Sequence, residues 1–197
     1  MDKIISASSN GIHVLPQAQY NSPLGALGPS SVSPDPLQQF QDWFKQAIDA
    51  GVPEPEAMSL STVSLGPSPL PSARVVLLKT LDTRGFVFYT NYTSRKSREL
   101  EQNPVAALVF YWKDINRSVR VVGNVEKVSV EDATTYFRSR PRESQLGAWA
   151  SRQSTVVGEH DVAQRLEELK ARFDGRDVDK PDFWGGWRVV PTYVLLP

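Results

Sequence analysis

The sequence predicts a mainly β protein with helices, an α+β chain built on a small antiparallel barrel. Five runs rich in β-branched and aromatic residues support this, broken by Pro, Gly, Asn and Asp. Helical spacing appears only before, between and after those runs, so helices decorate the barrel rather than alternate regularly with its strands. The chain shows no internal repeat.

Taken in order, residues 1–33 are rich in Ser, Pro, Gly, Asn and Gln without sustained periodicity and read as a flexible N-terminal arm. Residues 34–197 form the folded domain. Asp35 is suited to cap a first helical turn and Pro36 to occupy its first position. Leu37, Phe40, Phe44 and Ile48 then recur at helical spacing, and Gly51 stops the run. The strand-like runs are Ala57 to Ser64, Ala73 to Thr80, Gly85 to Tyr92, Val105 to Trp112 and Ser118 to Val128. Asp82-Thr83-Arg84-Gly85 is a hairpin turn by composition, and Gly123 inside a long strand predicts a bulge. A short helix spans Thr93 to Asn103, capped by Thr93 or Ser94. Ser129-x-x-Asp132 has the form of a capping box opening a helix to about Arg138. Another helix covers Asp161 to Phe173 on the stripe Val162, Leu166, Leu169 and Phe173, and a last strand lies near Trp187 to Leu196.

Composition narrows the function. Twenty-two Lys and Arg balance 22 Asp and Glu, so no global field draws the protein to nucleic acid or an anionic membrane. Anion binding must then come from local clusters. The absence of cysteine excludes disulfides, thiolate catalysis and zinc–cysteine sites, and fits a reducing compartment. His13 and His160 are too few for a histidine-rich metal centre, so no metal site is expected. No run approaches the roughly 20 apolar residues that cross a bilayer, and the first 20 residues lack a signal core. A cytoplasmic protein is expected.

Three segments carry possible chemistry. Between Arg74 and Arg98 stand six cations and one anion, Asp82. Arg74 and Lys79 flank Val75-Val76-Leu77-Leu78; five residues apart on one strand, they should face opposite sides. A ligand along the strand edge would still meet Arg74, the backbone between and Lys79. Thr93-Ser94-Arg95-Lys96 puts two hydroxyls and two cations at a helix start, which fits a phosphate or, equally, a solvated basic turn. In Tyr136 to Ser144, Arg138, Arg140 and Arg142 alternate; they suit a second phosphate clamp or ordinary surface ion pairs. In the third segment, Gly147 to Ser154, Gln153 is placed to hydrogen-bond a heterocycle or simply to end a helix. No Ser/His/Asp arrangement, P-loop or G-x-G-x-x-G helix opening occurs, which leaves chemistry carried by a bound cofactor.

Five strings give a more specific reading: R-V-V-L-L-K from Arg74, F-Y-T-N-Y-T-S-R-K from Phe88, N-P-V-A-A-L-V-F-Y-W from Asn103, Y-F-R-S-R-P-R-E-S-Q-L-G-A-W-A-S-R-Q-S from Tyr136 and F-W-G-G-W-R-V-V-P from Phe183. In this order and spacing, from about Asp35 to Pro191, the chain resembles the pyridoxamine 5′-phosphate oxidase family. The resemblance implies an antiparallel, Greek-key-like split barrel, forming a homodimer with flavin mononucleotide (FMN) at the subunit interface. Carried over by position, Arg74, Val75, Val76, Leu77, Tyr89, Thr90, Arg95, Lys96, Gln153 and Ser154 would contact FMN, with Arg95 and Lys96 on its phosphate. Lys79, Tyr136, Arg140 and Ser144 would hold a phosphorylated B6 vitamer. No catalytic side chain is assigned. The implied reaction oxidises pyridoxamine or pyridoxine 5′-phosphate to pyridoxal 5′-phosphate, with oxygen as the acceptor and hydrogen peroxide released. Two departures stand out. Ser118 occupies a position where the family commonly has Gln. After Pro191 the family continues through Glu-Phe-Trp-Gln-Gly and Arg-x-His-Asp-Arg to a final strand, whereas this chain reads Thr192 to Pro197. A barrel missing its last strand is therefore expected. The alternative function is a non-catalytic FMN- or B6-phosphate-binding protein or an inactive truncated isoform.

Overall fold

The structure, a computed structural model, describes residues 5–8, 11–14, 28, 32–151, 153–156, 158 and 160–195. Within the proposed arm, β1 (Ile5–Ser8) and β2 (Gly11–Val14) pair as an antiparallel ladder that the sequence did not suggest. Nearly all the rest of the arm lies outside the described residues, as do Arg152, Leu196 and Pro197.

Helix α1 (Pro36–Asp49) starts as its sequence directs: Asp35 accepts a hydrogen bond from the Leu37 amide at 2.9 Å, and Pro36 opens the first turn. Gly51, at φ 72°, takes the left-handed conformation that closes the helix. The buried stripe is rotated from the expected one. Phe40, Trp43 and Ala47 are buried, Leu37 and Phe44 partly so, and Ile48 is exposed. Trp43 joins the main apolar core, with the Arg117 guanidinium 5.2 Å from the centre of its ring, and so faces the helix inward on that side.

Seven strands then form one antiparallel sheet: β3 (Ala57–Val63), β4 (Pro71–Leu77), β5 (Thr80–Asp82), β6 (Gly85–Asn91), β7 (Val105–Trp112), β8 (Arg117–Lys127) and β9 (Trp184–Leu195), in the order β4-β3-β7-β8-β9-β6-β5. β4 and β5 stand at opposite ends of that order, yet only Leu78 and Lys79 separate them. A flat sheet cannot satisfy such a short joint, so the sheet curls until its two ends meet. The sequence placed Ala73 to Thr80 in one strand, and the structure corrects this. Hydrogen bonding passes from one end to the other at the joint: the Leu78 amide donates to Glu56 O and the Lys79 amide to Val87 O, both at 2.9 Å.

Inside the curl, alternate residues of β3, β7 and β8 are buried. Phe40 packs edge-on against Phe86 and Phe110, with 4.9 Å between centroids in each pair, while Met58, Leu60, Leu108 and Val119 fill the space around them. The predicted Asp82–Gly85 hairpin is present, with Asp82 Oδ1 accepting from the Arg84 and Gly85 amides. The bulge predicted at Gly123 is present too: the β8–β9 register slips there, leaving Thr192 unpaired between Tyr193 and Pro191. Helices α2 (Arg95–Gln102), α3 (Val130–Ser139), α4 (Arg142–Ala150) and α5 (Asp161–Arg172) lie outside the sheet. Ser94 caps α2 and Ser129 caps α3 as its sequence proposed. α4 is an addition, continuing the chain after a break at Arg140-Pro141. β9 begins three residues before the expected Trp187 and pairs with both β6 and β8. Beyond Val189 it pairs with β8 alone.

Gly85 has φ 149°, and a Cβ there would run into the Val189 carbonyl. Gly85→Ala is expected to destabilise the protein by about 1–3 kcal/mol, read as a lowered midpoint in thermal or urea unfolding. Gly66→Ala, which meets nothing within 4 Å, serves as the control and should leave the midpoint unchanged.

Candidate functional site

The joint that closes the barrel also opens a cleft of about 780 Å³ between β4, the C-terminal end of β6, and helices α3 and α4. That volume suits a cofactor with a small substrate. Of the fourteen residues singled out by sequence, twelve line it: Arg74, Val75, Val76, Leu77, Lys79, Tyr89, Thr90, Lys96, Tyr136, Arg140, Ser144 and Gln153. Arg74 and Lys79 thus share one wall. Strand alternation said they should not, but it fails because the chain turns from β4 into β5 between them. Arg95 and Ser154 are not on the wall. Arg95 is held beside it through Glu99, and Ser154 sits in a turn with φ 65°. Ser118, facing Tyr111 across β7–β8, is also away from the cleft.

At one end of the cleft is a dense cationic corner. Asn91 shapes it, its Oδ1 accepting from the Thr93 amide and hydroxyl at 2.8 and 2.7 Å and so turning the chain into α2. The first turn of α2 then presents Lys96, which is buried. Its Nζ donates to Gln153 Oε1 at 2.9 Å and lies 3.4 Å from Thr90 Oγ1. Burial, and secondarily the nearby charge of Arg74, push the Lys96 ammonium down to about 8. Arg74 reaches the same corner, donating to Leu60 O and Thr62 Oγ1. Glu99 lies behind them. Burial alone would raise its pKa, but bonds from Thr62, Ser72 and Arg95, with the Arg95 charge, bring it down to about 2.

Aromatic rings build another part of the wall. Tyr89 stacks on Tyr136 at 3.9 Å and on Trp184 at 5.4 Å, with interplanar angles of 16° and 11°. Gly186 makes this possible, since a Cβ there would meet the Tyr89 ring at 2.8 Å. The Arg140 guanidinium lies 4.9 Å above Trp184, and its Nη1 is buried with no hydrogen-bond partner. A desolvated, unpaired guanidinium nitrogen is costly by itself and favours an incoming oxyanion. Burial keeps the Tyr89 hydroxyl protonated by pushing it up to about 12, with the Asp132 charge adding to the effect.

The sequence reading did not assign Asn91 or Trp184 to the site. Asn91 carried a signal, since an Asn shortly before a helix start is suited to an Asx turn. Trp184 carried one in its neighbours, because Gly185-Gly186 admits rings against β9. Among the described residues no group of His, Asp or Glu is arranged to hold a metal, and no helix is long and apolar enough to cross a membrane.

A curled antiparallel sheet with one cleft lined by Arg74, Lys96 and Arg140 defines a split-barrel protein. Solved structures share the architecture. PhzG from Burkholderia lata, in complex with tetrahydrophenazine-1-carboxylic acid, superposes with a TM-score of 0.80 at 26% identity, covering 87% of this chain and 84% of that one. A pyridoxamine 5′-phosphate oxidase-related, FMN binding protein from Nostoc punctiforme shares the fold with a TM-score of 0.63 at 13% identity, covering 83% of each chain. The family model for pyridoxamine 5′-phosphate oxidase matches residues 44–170. A pyridoxine/pyridoxamine 5′-phosphate oxidase from Acaryochloris marina is 52% identical over 86% of this chain and 77% of its own length. Another, from Rubrobacter xylanophilus, is 54% identical over 85% of this chain and 77% of its own length. The chain belongs to the pyridoxamine 5′-phosphate oxidase family.

Because Lys96 loses its proton near pH 8, anion binding at this corner should weaken as pH rises above about 8, by up to tenfold per unit. Titrating inorganic phosphate against the protein between pH 7 and 10 tests this. Lys96→Arg should flatten the profile, because a guanidinium stays charged throughout.

Proposed function

We propose that this protein oxidises pyridoxamine or pyridoxine 5′-phosphate to pyridoxal 5′-phosphate, with FMN as its cofactor. The observation that carries the reading is that one cleft is lined both by Lys96 with Arg74 and by Arg140, whose Nη1 is buried without a hydrogen-bond partner. One suits the phosphate of a cofactor and the other that of a substrate. The start of α2, whose Ser97 amide is capped by Ser94, adds its helix dipole to the cofactor end.

FMN, when bound, accepts the hydride and passes the electrons to oxygen. The residues present fit it. Gln153 and the hydroxyl of Thr90 offer polar contacts to a heterocycle, and β4 offers the flat wall Val75 to Leu77. Lys79, Tyr136, Arg140 and Ser144 surround the substrate end. They would orient the vitamer and hold its phosphate. Neutral Tyr136, kept protonated by burial, can donate a hydrogen bond there. Catalysis in this scheme is chiefly positioning.

The protein is a homodimer in this reading. Across β4, β3 and β7, Val75, Ser59 and Val109 form one cross-strand row, and Tyr111 extends the outer face. Val75 and Tyr111 are 71% and 67% exposed. Such a patch favours a self-complementary contact. Val75 also belongs to the cleft wall, so a second copy seated on this face would cover the cleft.

Purified protein supplied with FMN and pyridoxamine 5′-phosphate is expected to form pyridoxal 5′-phosphate and hydrogen peroxide in equal amounts. Yellow protein without turnover would instead support a binding module. Lys79→Ala should raise KM at least tenfold while FMN affinity stays within a factor of two; equal loss of both would refute the assignment. Tyr111→Glu should shift the protein to monomer in sedimentation and reduce FMN retention.

A further inference from the structure

Glu99 is a buried carboxylate within a cluster of cations, and no step of the proposed reaction uses it. It lies on α2, one turn after Arg95, with its side chain directed at the β3–β4 hairpin. Oε2 accepts from Thr62 Oγ1 at 2.5 Å and Ser72 Oγ at 2.7 Å, and sits 3.4 Å from Arg74 Nη2. Oε1 accepts from Arg95 Nε at 2.8 Å. Ser72 Oγ also accepts from Arg74 Nη2 at 2.5 Å. One carboxylate therefore fixes two guanidinium groups, one on the cleft wall and one beside it.

We infer that Glu99 is the positioning residue of the cofactor-phosphate end, holding Arg74 and Arg95 in the arrangement that an incoming phosphate meets. The inference rests on the reading of that end as a phosphate site. Three cations, Arg74, Arg95 and Lys96, crowd this corner, and each would repel the others without a counter-charge. With Glu99 the local sum is three positive charges less one negative, leaving two, which matches a phosphate dianion. Arg95 is anchored through Nε, so its terminal nitrogens are the part left to turn toward a ligand. Arg74 is anchored through both of its terminal nitrogens and presents a fixed charge.

Two physical effects oppose each other when this carboxylate is neutralised. Net positive charge rises, which on Coulomb grounds alone favours phosphate. The guanidinium groups also lose their anchor, and an unanchored side chain gives up part of each charge-assisted bond to the entropy of ordering it. The inference holds that the second effect wins.

The test compares FMN with riboflavin, which lacks the phosphate, on the full chain by fluorescence titration. Wild type should prefer FMN strongly. Glu99→Gln should weaken FMN binding on the order of tenfold while leaving riboflavin within about a factor of two. Tighter FMN binding, unchanged FMN binding, or equal loss of both ligands would overturn the inference, the last by showing a general structural role. A wild type indifferent to the phosphate would instead overturn the phosphate-site reading beneath it. Should Glu99→Gln prove insoluble, Ser72→Ala removes the bridge between Arg74 and Glu99 and is read in the same way. Its FMN preference should fall several-fold, and an unaltered preference overturns the inference.

Discussion

Two residues, Leu78 and Lys79, join strands that stand at opposite ends of a seven-stranded order, and this covalent constraint governs the rest of the molecule. A sheet whose ends are tied so closely must curl, and the curl creates an inside. Phe40, Phe86, Phe88, Phe110 and Trp112 occupy that inside, each 2% exposed or less. The same joint turns the backbone so that Lys79 follows Arg74 into one cleft. Closure of the barrel and assembly of the site are thus a single event in this chain. A change that loosened the joint would cost both together.

Charge distribution explains how a protein with no net charge can hold anions. Its cations are sorted by their partners. Arg188 is tied to Asp82 and Glu126, and Arg84 also pairs with Glu126, so these guanidinium groups stitch β5, β6, β8 and β9 together and offer little to a ligand. Lys127 is shared between Glu101 and the rings of Tyr92 and Trp187. At the cleft the balance shifts: although Arg74 pairs with Glu99, the partners of Lys96 among the described residues are neutral oxygens, and Arg140 lies over aromatic faces with a nitrogen unpaired. Aromatic faces hold a guanidinium in place without neutralising it. That is the property an anion site needs.

Much of this was legible in the sequence where the signal is local. Asp35-Pro36, Ser129-x-x-Asp132, the Asp82–Gly85 turn and the bulge at Gly123 each follow from the conformational preferences of one or two residues, and each stands where expected. What depends on distant partners was not legible. Strand alternation placed Arg74 and Lys79 on opposite faces because nothing in Arg74 to Lys79 announces that hydrogen bonding changes from Glu56 to Val87 at that point. The stripe on α1 includes Trp43 because the core it enters is supplied by distant strands, through Met58, Phe86, Phe110 and Trp112. Trp184 escaped assignment for a similar reason, since its role appears only when Tyr89 arrives from β6 and Tyr136 and Arg140 from α3 and its C-terminal cap.

The strand β9 shows how the barrel and the cleft depend on one short segment. Phe183-Trp184-Gly185-Gly186-Trp187 alternates faces as any strand does, so Trp184 and Trp187 cannot share a side. Trp187 points into the barrel and donates to Ser97 Oγ at 3.0 Å, locking the first turn of α2 from below. Trp184 points the other way and supports Arg140. Between them, the two glycines give up side chains so that Tyr92 and Tyr89 can press against the backbone. The start of α2 and the guanidinium of Arg140 are therefore both steadied by residues three apart on one strand, and a change in the path of that strand would disturb both.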